Sequence, residues 1–160
     1  MKSDLDKIEK KIDKMKDRYK KRKILKSFFE KNFICNFSAD GYRLPTVEEW
    51  TYAAKGGQNL KYSGSDDIDE VAWYRENTNS TRDVATKKAN GYGLYDMTGN
   101  VCEWCVKDKY SKSDWYVQGG SYWHDESECE KYSRYWSYPF EGDKNLGLRL
   151  VRTVSRQMFP

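Results

Sequence analysis

From residue 91 onward, short strand-like segments alternate with long loops, and this spacing constrains the fold more than any other feature. The segments are "YGLYDM", "VCEWCV", "WYVQGG" and "LGLRLVRT". Residues 58–90 are rich in Ser, Asp, Asn and Thr, which favour turns, and hold no helix of three turns. Many irregular segments anchored by tryptophans imply an α+β domain with a small, twisted antiparallel sheet. Aromatics make up 16% of the chain, with 13 Tyr and 6 Trp, so few large side chains can fill a core or build a binding face. The 160 residues leave room for one domain and an appended helix.

Two helical regions precede the strands. In "SDLDKIEKKIDKMKDRY", Leu5, Ile8, Ile12, Met15 and Tyr19 step by three and four, the seam of a coiled coil or of one helix docked on a surface. Lysines and an arginine at 20–23 interrupt the seam, and "ILKSFFEKNF" resumes it. The first 34 residues are read as a basic helical arm, and self-association through it is the expected partner contact within the protein itself. In "RLPTVEEWTYAAKGG", Thr46 caps a short helix, Glu49 closes a capping box, and Gly56 and Gly57 end it.

Charge is unevenly spread. Residues 1–32 carry 13 Lys/Arg against 6 Asp/Glu, whereas the rest of the chain is mildly acidic. A basic arm can steer acidic partners, but a solvated helix face explains it more simply, and nucleic acid is not the expected partner. No apolar run approaches the ~20 residues of a membrane span, and no apolar signal core follows Met1. The expected location is therefore cytoplasmic. Four cysteines at 35, 102, 105 and 129 make no disulfide framework. Cys102 and Cys105 form a CxxC without a second pair, and the tryptophan between them suggests core packing rather than zinc.

Five pieces occur in order: "GYRLPTVEEWTYAAKGG", "VAWY", "NGYGLYDMTGNVCEW", "VQGGSYW" and "LGLRLV". Together they resemble the formylglycine-generating-enzyme, or sulfatase-modifying-factor, domain, a divergent C-type lectin fold. The resemblance spans residues 35–153, with 154–160 as a tail. The family's opening strands have no counterpart here, and the charged helix stands in their place. The resemblance implies that the helix after Pro45 packs on the sheet with Trp50 and Tyr52 as anchors.

The resemblance implies two candidate metal sites. "YDMTGNVCEW" is similar to a loop that can hold calcium, through the carboxylates of Asp96 and Glu103 and the carbonyls of Gly99 and Val101. Calcium takes six to eight oxygens, so such a set would need waters. The alternative is that Asp96, Gly99 and Asn100 simply make the turn while Glu103 pairs with a base. Formylglycine-generating enzymes also oxidise a substrate cysteine with copper and O₂, between two cysteines five and ten residues after the first glycine of "GGS". Soft thiolates suit Cu(I). Counting from Gly119, the second position is Cys129, and the first is His124. One thiolate is missing, and Cys102 and Cys105 are expected to lie elsewhere, in a turn and strand.

The function expected instead is that of a non-catalytic binding module. Between 122 and 145, seven of twenty-four residues are aromatic, with Asp, Glu, Ser and His in most gaps. Rigid aromatics supply contact area at low entropic cost, and short polar groups supply adaptable hydrogen bonds. The stretch resembles the variable region of lectin-fold proteins diversified by retroelements. That resemblance implies ligand contacts at Trp123, His124, Asp125, Glu128, Ser133, Tyr135, Trp136, Ser137 and Tyr138, for a protein or small-molecule ligand. Burial of some of these aromatics as core is the competing reading. A copper oxidase built on Cys129 and His124 is the alternative function.

Overall fold

The computed structural model describes residues 35–110, 115–137 and 143–153, together with Lys7, Lys23 and Ser27, each helical and exposed. The seam from Leu5 to Tyr19, the tail at 154–160 and Tyr138 lie outside the described residues. The elements are β1 (Gly41–Arg43), α1 (Val47–Lys55), α2 (Ile68–Val71), β2 (Cys102–Val106), β3 (Trp115–Gln118), a 3₁₀ turn (Ser127–Cys129), β4 (Arg134–Trp136), β5 (Leu146–Gly147) and β6 (Val151–Thr153). The α+β expectation holds.

Helix α1 forms as its signals require. Thr46 Oγ1 accepts from the Glu49 amide at 3.1 Å, and the Glu49 carboxylate accepts from the Thr46 amide at 2.9 Å, closing the box. Gly56 ends the helix in the left-handed conformation, φ 57°. Val47, Trp50 and Ala54 fall on its buried stripe. Tyr52 lies off that stripe and is 67% exposed, so of the two expected anchors only Trp50 packs on the sheet.

Strands β4-β3-β2-β5 form one sheet in that order, and β1 pairs with β6 in a second, two-stranded one. The β2–β3 and β3–β4 pairings are antiparallel, while β5 joins β2 in parallel. Pairing of Gly41 with Thr153 and Arg43 with Val151 ties the two ends of the described domain together. "LGLRLVRT" therefore serves both sheets, β5 in one and β6 in the other. "YGLYDM" is no strand. Gly93 and Asp96 have positive φ, 73° and 55°, and the Asn90 side chain accepts from the amides of Tyr92 and Leu94, which a ladder would need.

Two cores lie on opposite sides of the four-stranded sheet. Val47, Trp50, Ala54, Met97 and Cys105 make one, with Tyr116 packed against it. Tyr62, Ile68, Val71, Ala72, Tyr74 and Cys129 make the other. Strand alternation explains the separation. The register places Glu103 beside Gln118 and Arg134, and Cys105 beside Tyr116 and Trp136, all toward α1. Trp104, Val117 and Tyr135 alternate with them and face the second core's side.

Candidate functional site

The glycine pair after β3 brings the two cores close to one loop. Gly119, φ 92°, sits under Trp50, where an added Cβ would meet the indole at 3.0 Å. Gly120, φ 69°, leaves no room for a Cβ beside the Cys129 sulfur. Both positions need a conformation and a closeness that only glycine supplies. The chain then enters a tight turn at Ser121, which is fully buried. The His124 amide donates to the Ser121 carbonyl at 3.0 Å, and the Ser121 hydroxyl lies 2.7 Å from His124 Nδ1. The His124 carbonyl in turn accepts from the Arg75 amide.

This turn fixes the imidazole. Its ring stacks on Tyr135 with centroids 5.6 Å apart and planes 2° from parallel. Cys102 Sγ lies 3.6 Å from Nδ1, on the same edge of the ring as the Ser121 hydroxyl. Cys102 was expected elsewhere. It is brought here because the first residue of β2 shares a sheet face with Tyr135, two strands away. Trp123, next in the loop, is 68% exposed.

Asp125 organises the rest of the segment. It accepts from Ser127 Oγ at 2.9 Å, and Arg75 approaches at 3.4 Å. The Ser127 hydroxyl, with help from that arginine, holds its carboxyl below the usual range. Glu128 bonds back to the Asp125 amide, and Ser133 donates to the Ser127 carbonyl. Glu126 accepts from the buried Tyr62 hydroxyl at 2.6 Å and from Lys61 at 2.9 Å. Trp136 leaves this group. It follows Tyr135 in β4, so it projects from the opposite face, in register with Tyr116. Ser137 is half-buried at the strand's end. The structure thus gathers Trp123, His124, Asp125, Glu128, Ser133 and Tyr135, and separates Trp136 from them.

The chemistry open to the sulfurs is limited. Burial pushes the Cys102 and Cys129 thiols up to about 12, with each other's proximity adding to Cys102. Both are protonated at neutral pH, and thiolate is the form that attacks or binds metal. Among the described residues no three His, Cys, Asp or Glu side chains are placed to share a metal ion. The residues present do not fit the family's two-thiolate copper site: position 124 offers an imidazole already engaged by Ser121, and Cys129 is sealed beneath Gly120.

The calcium reading meets a different obstacle. Glu103 accepts from Arg149 through both oxygens, each at 2.9 Å, and from the Trp50 indole at 2.7 Å. Asp96 accepts from the Ala85 amide at 2.7 Å. Asp96, Gly99 and Asn100 all have positive φ. In this loop Glu103 pairs with Arg149, and a cation held by Asp96, Gly99, Val101 and Glu103 would have to compete with that guanidinium.

Comparison with known proteins adds the lineage. The model of the sulfatase-modifying factor enzyme 1-like domain matches residues 11–154. The chain belongs to that family. Its match begins at residue 11, well inside the stretch assigned from sequence to the arm. The chain is 38% identical over 148 residues to the chaperone protein LppX of Paenibacillus barcinonensis, covering 74% of this chain and 51% of that one. It is 30% identical over 151 residues to the formylglycine-generating enzyme of Streptomyces coelicolor, covering 68% and 46%. Among solved structures it is similar to Treponema denticola variable protein 1, with a TM-score of 0.67 and 35% identity, covering 72% of this chain and 49% of that one. This member of the family thus spans about half the length of the relatives it matches. None of the helices among its described residues is long and apolar enough to cross a membrane.

Sequence reasoning missed Cys102, Ser121 and Arg75 as neighbours of His124. "GGSYWH" carries a signal for one of them, since Ser three residues before His is a turn spacing. The other two are brought in by strand register and loop packing, which no local pattern records.

Proposed function

We propose that this domain is a non-catalytic lectin-fold binding module whose ligand face lies within residues 122–145, centred on Trp123, His124, Asp125, Glu128 and Tyr135. The observation that carries the reading is the His124–Tyr135 stack, held rigid by Ser121 beside an exposed Trp123 and two carboxylates. Preorganised aromatics flanked by short polar groups are what a binding surface uses to limit the entropy lost on contact. The likeness to a variable protein supports the same reading. The test is a screen of the full chain against glycan and peptide arrays. Signals should be lost in Trp123→Ala and Tyr135→Ala and kept in Cys129→Ser. Array signals indifferent to both aromatic variants would refute the assignment of the face.

The oxidase of the formylglycine-generating type is the second reading, and the approach of the Cys102 sulfur to His124 favours it. Its test is O₂ consumption by the copper-treated chain with a cysteine peptide. The binding-module reading expects none above the Cys129→Ser background.

A further inference from the structure

Two dipeptides in this chain share one intrinsic reactivity and stand in opposite surroundings. The sequence holds a single Asp-Gly, at Asp40–Gly41, and a single Asn-Gly, at Asn90–Gly91. A glycine nitrogen, with no side chain beside it, can attack the side-chain carbonyl of the residue before it and close a five-membered imide. In an unfolded chain the Asn-Gly closes faster, because an amide is a better electrophile at neutral pH than an ionised carboxylate.

The fold locks Asn90, which is 6% exposed. Its Nδ2 donates to the Ala53 carbonyl at 2.8 Å and to the Ser63 hydroxyl at 3.0 Å. Its Oδ1 accepts from the Tyr92 and Leu94 amides at 2.9 and 3.1 Å. Turning this side chain onto the Gly91 nitrogen would strand buried donors and acceptors that no water reaches. Gly91 is hemmed in as well, since a Cβ there would collide with the Gly56 carbonyl.

Asp40 is open on every side. Residues 38–40 are exposed, in the turn and bend that lead into β1. Among the described residues the Asp40 carboxyl meets one cation, Arg152 at 3.6 Å, and both side chains keep about half their exposure. A pair that long and that well solvated holds little. A Cβ on Gly41 would meet nothing within 4 Å. Gly41 is also the first rung of β1, opposite Thr153, and end rungs open at low cost.

We propose that Asp40–Gly41 is a site of spontaneous backbone isomerisation. The Gly41 nitrogen bonds to Asp40 Cγ, and the amide proton leaves with the carboxyl hydroxyl as one water. Water then adds across one of the two imide C–N bonds. Breaking the bond to Cγ restores aspartate. Breaking the bond to the Asp40 carbonyl carbon leaves isoaspartate, with the main chain one carbon longer just ahead of β1. No reactant besides water is needed. The added carbon displaces Gly41 from its place opposite Thr153, so the closure of β1 on β6 weakens.

The full chain is incubated at neutral pH, in buffer and in guanidinium chloride, and mapped by electron-transfer mass spectrometry, which separates isoaspartate from aspartate. In the native chain isoaspartate is expected at Asp40, while Asn90 deamidates at least tenfold more slowly than in denaturant. The order of the two sites therefore reverses between the two conditions, which the dipeptides alone would not produce. Asp40→Glu, at an exposed position, should abolish the native signal, since its imide would need a six-membered ring. In the isomerised chain the amides of β1 and β6 should exchange hydrogen faster than in the parent, with those of β2 unchanged. Three results would each overturn the proposal. They are native Asp40 intact when Asn90 in denaturant has converted, Asn90 reacting equally in both conditions, and β1–β6 exchange unmoved by isomerisation.

Discussion

Glu103 decides what the loop before β2 can do. Two charge-assisted bonds from Arg149 and one from Trp50 fill the carboxylate, and such bonds are about twice as strong as neutral ones. Millimolar Ca²⁺ is therefore expected to leave the melting temperature unchanged. Arg149→Met should cost about 3 kcal/mol in a denaturant melt, the low end for stranding a buried partner, because the Arg149 side chain keeps 28% exposure while that of Glu103 keeps 8%. A calcium-dependent rise in melting temperature that Asp96→Asn abolishes would reverse the assignment. The thiols give a second measurement at this scale. With Cys102 and Cys129 held up to about 12 by burial, alkylation at pH 8 should require unfolding. Rapid labelling of either in the native chain would contradict their placement.

Among the elements, α1 was the most legible beforehand. Its cap, its box and its terminating glycines are local signals, whereas Tyr52, expected as an anchor, lies off the buried stripe of Val47, Trp50 and Ala54. Strand β4 was not legible, because "RYW" sits inside a polar, aromatic stretch that reads as loop, and only pairing with β3 makes it a strand. "YGLYDM" failed the other way. Its apolar spacing suited a strand, but Asn90, from outside the segment, takes its amides and also donates to the Ala53 carbonyl at the end of α1. The site followed the same division: the glycine pair, His124 and Cys129 stood out in sequence, whereas Cys102 reached them through sheet register. Two measurements probe α1. Thr46→Ala should cost about 1 kcal/mol, the usual worth of such a cap. Arg43 forks onto Glu49 at 2.7 Å and holds its carboxyl below the ordinary 4.5. A depressed acid stabilises the fold above its unfolded pKa, and that contribution is lost as pH falls through the folded value. Melting temperature should therefore decline below about pH 4.5, and Arg43→Gln should shrink the decline relative to neutral pH. An identical acid limb in the variant would show that Glu49 is not its source.

Across the whole molecule, the four-stranded sheet is a partition between two surfaces, and three tryptophans sample its sides. Trp50 is buried at 1% exposure in the α1 core, with Gly119 against its ring and Glu103 on its indole nitrogen. Trp123 is 68% exposed on the His124 side, and Trp136 is 45% exposed on the α1 side of edge strand β4. Truncating a buried Trp to Ala removes its transfer energy and leaves a cavity, about 3–5 kcal/mol, and here it also strands part of Glu103's hydrogen bonding. Trp50→Ala should therefore melt far below the parent. Trp123→Ala leaves no cavity, so its melt should fall within about 0.5 kcal/mol of the parent, the usual range for a surface substitution. Trp136→Ala should lie between, because the side chain is 45% exposed, less than Trp123 and far more than Trp50. The order Trp50, Trp136, Trp123 in lost stability is the expected outcome of three thermal melts. If Trp123→Ala proves as damaging as Trp50→Ala, the loop after Gly120 is part of the core, and the ligand face proposed for residues 122–145 has no free aromatic at its centre.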